Sequence, residues 1–209
     1  MSGLTFRPVF AAIGLALFVA LAPVAPAAAA EAELGPAVGA RIPHDLSTTD
    51  ADGDARKFDS LVGPKGLVVF FVRSVDWCPY CKAQALSVDA SRQDFAARGL
   101  GVAFISYDPV AKLAAFSQSR DLGLTLLSDP ESKVIDAFGL RNERHKEGRF
   151  AGIPHPAAFV IRPDRTIAAK LYEKDYLTND KSYATRPEVG AILAAADAAF
   201  GGAAVAASQ

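Results

Sequence analysis

The stretch Leu67-Val-Val-Phe-Phe-Val-Arg-Ser-Val-Asp-Trp-Cys-Pro-Tyr-Cys81 decides the fold of this 209-residue chain. Its first six residues, Leu67 to Val72, form an apolar run of the length expected for a buried strand. The residues from Pro79 to Arg98 have apolar positions at helical spacing, and Gly99 provides a stop signal. A buried strand, a short turn and a Cys-x-x-Cys that opens a helix indicate a redox-active dithiol.

Cys78 and Cys81 are placed for thiol chemistry by this helix. A thiolate in the first helical turn faces free backbone N–H groups and the positive end of the helix dipole, so we expect a lowered pKa for Cys78. The i, i+3 spacing brings the two Cα atoms to about 4.4–6.8 Å, the separation that a disulfide requires. The pattern predicts that Cys78 attacks and that Cys81, one turn further in, resolves the mixed disulfide.

Two structural explanations of the pair compete with a redox site. Half of a zinc site is one, but a structural zinc needs four ligands, and the only histidines, His44, His145 and His155, are scattered. A static disulfide is the other, although a chain of this length folds without one. The dithiol interpretation is favoured, and the sequence predicts no metal and no cofactor.

Residues 1–30 have the composition of a secretory signal peptide. The uncharged apolar stretch Val9 to Leu21 is shorter than the ~20 residues that span a bilayer, and Ala28-Ala29-Ala30 supplies small residues for cleavage. An uncleaved anchor is the alternative. We expect a mature protein of residues 31–209 that is periplasmic or secreted and has no stable membrane span.

The charge balance argues against a polyanionic partner. The chain has 22 Lys and Arg against 23 Asp and Glu, a net charge of −1. Nucleic acids and anionic membranes are bound by concentrated basic charge. We therefore expect no nucleic-acid binding.

The rest of the chain predicts an α/β fold, in which a mixed central sheet is flanked by helices. Residues 31–66 form a short N-terminal β extension, with a turn signal at Asp50-Ala-Asp-Gly53, and residues 201–209 form a flexible tail. A strand is predicted at Gly101 to Tyr107. It is followed by helices at Val110 to Arg120 and Glu131 to Phe138, which are capped by Asp108 and Asp129. The last predicted elements are a hairpin of Ala157 to Ile161 with Thr166 to Leu171 and a helix at Pro187 to Phe200.

Several motifs resemble those of one protein superfamily. Trp77-Cys-Pro-Tyr-Cys81 after a core strand looks like a thioredoxin-fold active site, and its Pro-Tyr pair matches the glutaredoxin version. The phrases Ile105-Ser-Tyr-Asp108, Leu126-Leu-Ser-Asp-Pro130, Ala137-Phe-Gly-Leu140 and Phe159-Val-Ile-Arg-Pro-Asp164 are similar to the peroxiredoxin-like branch, the alkyl hydroperoxide reductase/thiol-specific antioxidant (AhpC/TSA) family. The resemblance runs from about Gly39 to Phe200 and implies a thioredoxin-like fold.

The resemblance also implies a substrate groove. Thioredoxin-like proteins carry a cis proline before the strand beside the dithiol, and Pro156 stands at that place, with Pro154 as the alternative. The groove would then be formed by Trp77, Pro79, Tyr80, His155 and Pro156. If Pro156 is cis, His155 lies next to the active sulfurs; the alternative is that His155 is an exposed loop residue.

The chain departs from the peroxiredoxin pattern at three positions. Peroxiredoxins place Thr or Ser three residues before the peroxidatic cysteine, proline seven before it, and an arginine ahead of the late strand; here these positions hold Val75, Phe71 and Pro156. Arg73 is the candidate to replace that arginine. Val72 stands where thioredoxins carry a buried carboxylate.

These departures make an exported thiol-disulfide oxidoreductase our first functional hypothesis. Its partners would be disulfide-containing proteins or small-thiol disulfides, together with an upstream thiol redox partner. One alternative is a thiol peroxidase that reduces hydroperoxides at Cys78. Another is a non-catalytic module that holds a soft metal ion through both thiolates.

Overall fold

The computed structural model describes Gly3 and residues 33–201. Apart from Gly3, the predicted signal peptide lies outside the described residues, as do residues 202–209 of the predicted tail. Among the helices in the described part of the chain, none is long and apolar enough to cross a bilayer.

Strands and helices alternate along most of the described chain, which accounts for its layered α/β architecture. The elements in chain order are β1 (Thr48–Asp50), β2 (Ala55–Arg56), α1 (Phe58–Leu61), β3 (Gly66–Phe71), α2 (Pro79–Ala90), α3 (Arg92–Ala97), β4 (Leu100–Ser106), α4 (Val110–Arg120), β5 (Thr125–Ser128), α5 (Lys133–Ala137), β6 (Ala157–Ile161), β7 (Ile167–Leu171) and α6 (Val189–Gly201). Short 3₁₀ turns lie at Gly148–Phe150, Lys174–Leu177 and Asp180–Ala184.

The strands form one mixed sheet in the order β2-β1-β5-β4-β3-β6-β7. The pairs β3–β4 and β4–β5 are parallel, whereas β6 runs antiparallel to both β3 and β7. The small hairpin of β1 and β2 lies within the predicted N-terminal β extension, and it joins the far edge of the sheet through β5. The predicted mixed α/β fold is therefore confirmed.

Side chains of β3 alternate between two hydrophobic cores, one on each face of the sheet. Leu67, Val69 and Phe71 belong to the core that contains Phe138 and Phe159. Their neighbours Val68, Phe70 and Val72 belong to the other core, to which α2 contributes its buried face. Both cysteines belong to this second core, so the dithiol lies on the α2 face, beyond the carboxyl end of β3.

The predicted helix from Pro79 to Arg98 is two helices. Ser91 ends α2 and begins α3, with φ −102° and ψ 10°. Its N–H donates to the oxygen of Val88, and its own oxygen accepts from Asp94, so tight turns replace the regular helical ladder. A serine competes with the helical pattern because its hydroxyl favours turn conformations.

The Asp-Pro signals mark the two following helices, but only one aspartate works as a cap. The helix α4 begins after Pro109 with no side-chain cap, because the Asp108 carboxylate turns towards the loop after β3 instead. The helix α5 begins at Lys133, two residues later than predicted. Asp129 still accepts hydrogen bonds from the N–H groups of Lys133 and Ile135, at 2.8 and 2.9 Å.

The expected cis proline is wrong, since the described residues contain no cis peptide bond. The segment before Pro156 is paired with the residues that follow α5: the N–H of His155 donates to the oxygen of Leu140 at 2.7 Å, and the N–H of Asn142 donates to the oxygen of Ile153 at 2.9 Å. Trans is the lower-energy isomer of an X–Pro bond by about 0.5–1 kcal/mol. The backbone hydrogen bonds of His155 and Asn142 form while the peptide bond before Pro156 stays trans.

Candidate active site

The loop between β3 and α2 is held by one buried carboxylate, Asp108. One oxygen of Asp108 accepts from the Ser74 hydroxyl at 2.7 Å, and the other accepts from the Val75 N–H at 2.7 Å and the Ser106 hydroxyl at 2.8 Å. The Ser74 hydroxyl oxygen in turn accepts from the N–H of Trp77 at 3.2 Å. Burial raises the pKa of Asp108 despite these donors. The loop that leads to the dithiol is thus fixed before any substrate arrives.

The two cysteines are free thiols that share a hydrogen-bonding arrangement at the start of α2. Cys78 is the N-cap, and its sulfur accepts from the Cys81 N–H at 3.3 Å. Cys81 lies on the core-facing side of α2 together with Ala85 and Val88. Its sulfur accepts from the backbone N–H of Ser74 and from the Arg186 guanidinium, whose Nη2 is 3.6 Å away.

The acidity of the pair differs from the expectation that Cys78 is the more acidic thiol. For Cys81, burial raises the pKa, but the hydrogen bond from Cys78 and the Arg186 cation outweigh it and lower the pKa to about 6. The hydrogen bond with Cys81 and burial raise the pKa of Cys78. The two thiols titrate as one pair, and the donors around Cys81, with the Arg186 cation 3.6 Å away, favour the first negative charge of the pair on that sulfur.

Arg186 is the functional residue that the sequence did not reveal. It lies 105 positions after Cys81 in an irregular segment that precedes α6, and no motif marks it. One of its nitrogens donates to the backbone oxygens of Tyr183 and Thr185, which orients the guanidinium. It supplies the cation on the dithiol that Arg73 was expected to supply.

Arg73 has a different environment from the one expected. Its guanidinium lies over the rings of Trp77 and Tyr183, at 5.0 and 4.6 Å from the ring centres. The side chain is 9% exposed, and its Nε has no hydrogen-bond partner within the described part of the protein. Arg73 therefore fills the space between two aromatic residues beside the dithiol.

Three predicted groove residues, Trp77, Pro79 and Tyr80, surround the start of α2. Pro79 is the exposed first residue of the helix. The half-buried Trp77 donates from Nε1 to the Tyr107 hydroxyl at 2.9 Å and packs on Phe150. Tyr80 is 41% exposed. It lines an open cavity of about 460 Å³ along α2, and Arg186 lines the same cavity.

The other two predicted groove residues are buried. Pro156 lines a small space together with Tyr183 and Arg186. His155 is 4% exposed, so the alternative that it is an exposed loop residue is wrong. Its Nε2 lies 2.8 Å from a carboxylate oxygen of Glu143, and its ring packs edge-on against Tyr176. Between residues 33 and 201, no three His, Cys, Asp or Glu side chains are grouped to hold a metal ion.

Comparison with known proteins identifies a family and a common fold. The model of the AhpC/TSA family matches residues 38–170. A Haemophilus influenzae protein assigned as a bcp peroxiredoxin is 35% identical over 105 residues, which cover 50% of this chain and 66% of that protein.

Two solved structures have the same fold. Peroxidoxin BcpB from Mycobacterium tuberculosis superposes with a TM-score of 0.60 at 25% identity, covering 79% of this chain and 98% of that one. The bacterioferritin comigratory protein of Xanthomonas campestris, studied for its alkyl peroxide reduction activity, superposes with a TM-score of 0.59 at 22% identity over 75% of this chain and 92% of that one. The thioredoxin-like arrangement expected from the motifs is thus confirmed.

Proposed function

The chain belongs to the AhpC/TSA family, and from this premise we propose that it is a thiol peroxidase that reduces hydroperoxides with its Cys78–Cys81 dithiol. The observation that carries the proposal is the Arg186 guanidinium, 3.6 Å from the sulfur of Cys81, a residue within the region that matches the AhpC/TSA family. The alkyl peroxide reduction studied in the Xanthomonas campestris relative favours the same class of substrate. This ranks the peroxidase alternative above disulfide exchange.

We assign the attack to Cys78, since it is the N-cap at the very start of α2, whereas Cys81 lies one turn further into the helix beside Ala85. The Cys78 thiol passes its proton to the Cys81 thiolate, and the Cys78 sulfur attacks the terminal peroxide oxygen. The O–O bond breaks and Cys78 becomes a sulfenic acid. The alkoxide takes the proton from the Cys81 thiol and leaves as an alcohol. The Cys81 thiolate then attacks the Cys78 sulfur, which forms the disulfide and releases hydroxide, protonated by solvent to water. An external dithiol restores both thiols and is itself oxidised to a disulfide.

Arg186 and Ser74 compensate for the departures from the peroxiredoxin pattern. Val75 carries no hydroxyl and Pro156 carries no guanidinium, so the positions expected to activate a peroxide are apolar. The Ser74 backbone N–H and Arg186 instead direct donors at the sulfur pair from other elements. Donors that are oriented in advance stabilise charge at low cost when the reaction occurs.

Cysteine variants test this assignment directly, because the chain has only two cysteines. Stopped-flow measurement of peroxide consumption should show a fast reaction for the reduced wild type and none above the rate of a free thiol for Cys78→Ser. Cys81→Ser should consume one equivalent and leave a sulfenic acid on Cys78, detected by dimedone labelling and mass spectrometry. Fast consumption by Cys78→Ser would assign the attack to Cys81 instead.

Disulfide exchange remains a second candidate because of the open cavity beside the dithiol. The exposed Tyr80 and the Arg186 segment line a space of about 460 Å³ that would accommodate a polypeptide or a small-thiol disulfide next to Arg186, whose guanidinium contacts Cys81. Insulin reduction by wild-type protein, compared with peroxide consumption under the same reductant, ranks the two activities. Cys81→Ser would trap a Cys78-linked mixed disulfide if exchange is the physiological reaction.

We also propose that the protein is exported to the periplasm or secreted. The support is the apolar segment Val9 to Leu21 followed by Ala28-Ala29-Ala30. Mass spectrometry of the protein recovered outside the cytoplasm should find Glu31 as its first residue. An intact Met1 terminus confined to the cytoplasmic fraction would contradict export.

A further inference from the structure

A cavity that is lined in part by Tyr183 has the chemistry of an anion site. It has a volume of about 390 Å³ and is lined by Arg73, Asn142, Arg144, His145, Tyr176 and Tyr183. None of these described lining residues is acidic. The volume suits a small organic ligand, and the lining combines aromatic surface with a few donors, as ligand sites commonly do.

Arg73 is the residue of this cavity whose buried positive charge a bound anion would neutralise. Its guanidinium is nine-tenths buried and packs between the rings of Trp77 and Tyr183. In the described part of the chain, no carboxylate forms an ion pair with it, and Nε has no hydrogen-bond acceptor. A buried cation without a counter-charge is costly, and a bound carboxylate would offset that cost.

The other walls of the cavity are fixed by hydrogen bonds within the protein. Asn142 is buried and donates from Nδ2 to the Tyr176 hydroxyl oxygen at 2.8 Å. That bond leaves the Tyr176 hydroxyl proton free to donate to a ligand. Arg144 lies over the Tyr176 ring at 5.6 Å, and its charge acts on Tyr176 together with those of Arg73 and Arg186. Burial raises the pKa of Tyr176, and these three positive charges act in the opposite direction.

The cavity adjoins the dithiol through two of its residues. Arg73 directly precedes Ser74, whose N–H donates to the Cys81 sulfur. Tyr183 contacts both Arg73 and the exposed Tyr80, and its backbone oxygen accepts from Arg186. A ligand held against Arg73 would therefore have its other end close to the start of α2.

We propose that this cavity binds the carboxylate of an anionic substrate of the dithiol, either a hydroperoxide that carries a carboxylate or a carboxylate-bearing thiol reductant. The substrate part of the inference rests on the proposed peroxidase activity. Binding of the carboxylate itself does not, so the two can be tested separately.

Binding is measured through Trp77, the only tryptophan of the chain, whose ring lies against Arg73. Titration of the reduced protein with hexanoate should change the fluorescence saturably, and hexanamide should not. Arg73→Met should abolish the hexanoate response. Tyr176→Phe, which keeps the aromatic surface and removes one donor, should weaken it several-fold if the Arg73 variant does not fold. The control Arg120→Gln removes an exposed cation at the end of α4 and should leave the response intact.

Kinetics then identify the source of the carboxylate. One series compares a hydroperoxy carboxylic acid with its methyl ester, with mercaptoethanol as reductant. The other compares mercaptopropionate with mercaptoethanol, with cumene hydroperoxide as oxidant. We expect a KM about fivefold or more lower for the acid in one of the series, and a ratio near one in Arg73→Met. Charge preference in either series supports the proposal; the absence of hexanoate binding, or binding without preference in both series, overturns it. If the wild-type protein bound hexanoate but consumed no peroxide, the peroxidase proposal would be overturned and the anion site would stand.

Discussion

Arg186 and Cys81 are 105 residues apart in the chain, and Nη2 of Arg186 lies 3.6 Å from the Cys81 sulfur. This contact ties the irregular segment before α6 to the first turn of α2. It also puts a permanent positive charge on the thiol pair from outside the Cys-x-x-Cys motif. The acidity of the dithiol therefore depends on a residue that lies beyond the matched family region, which ends at residue 170.

Replacement of Arg186 should make the dithiol less acidic. Arg186→Gln removes the cation but keeps a polar side chain, so the pKa of Cys81 should rise from about 6 towards the ordinary value of about 8.5. Each unit of that rise lowers the thiolate population about tenfold below the pKa, and alkylation by iodoacetamide at pH 6 should slow accordingly. Arg186→Lys retains the charge and should recover a large part of the rate. Identical alkylation profiles for wild type and Arg186→Gln would show that the contact has no effect on acidity.

The acidity of Cys81 also predicts how stability depends on pH in the reduced protein. Its folded-state pKa is depressed, so its stabilising contribution is complete above the unfolded value of about 8.5 and is lost as the pH falls through about 6. The free energy of unfolding in urea should therefore rise between pH 6 and 8.5, by at most about 1.4 kcal/mol per pH unit. Cys81→Ser and the oxidised wild type lack this thiolate and should show a flatter profile. Equal slopes in all three proteins would contradict a depressed pKa.

The sequence predicts the parts of this molecule that depend on local pattern. The apolar run that became β3, the position of Cys78 and Cys81 and the hairpin of β6 and β7 follow from periodicity and turn signals. The surroundings of the sulfurs could not be predicted in the same way. Arg186 reaches Cys81 through tertiary packing, and its segment has no periodic pattern.

Asp108 shows a second limit of local reasoning. The dipeptide Asp108-Pro109 has the form of a helix cap, and α4 does begin next to it. The carboxylate accepts its hydrogen bonds from groups that the neighbouring strand positions. Because β3 and β4 run parallel, Ser74 and Val75 lie next to Asp108. Such a competition between a local cap and a distant loop is decided by the fold as a whole.

Removal of the Asp108 carboxylate should destabilise the protein and loosen the loop before the dithiol. Asp108→Ala leaves the Val75 N–H and two serine hydroxyls buried without their acceptor, which we expect to cost about 2–4 kcal/mol in the free energy of unfolding. Asp52→Ala, at an exposed turn position, should change it by less than about 0.5 kcal/mol. Urea unfolding measures both. If Asp108→Ala matched the control, the network would contribute little to stability.

The last prediction concerns the contact between the loop beside Trp77 and the segment around the 3₁₀ turn Gly148–Phe150. The Tyr107 hydroxyl accepts from Trp77 Nε1 at 2.9 Å and donates to the Arg149 oxygen at 2.8 Å, so one phenol joins the two. Tyr107→Phe removes both hydrogen bonds at nearly constant volume and should cost about 1 kcal/mol for each.

The local effect of Tyr107→Phe should exceed its global one, because the segment after α5 contains little regular structure. Limited trypsin digestion followed by mass spectrometry should show faster cleavage after Arg144, Lys146 and Arg149 than in wild type. Tyr172→Phe is the matched control, since it removes a phenol hydroxyl elsewhere, after β7. If Tyr107→Phe and the control were cleaved at the same rate, the phenol would not hold this segment, and the packing of Trp77 on Phe150 alone would account for its position.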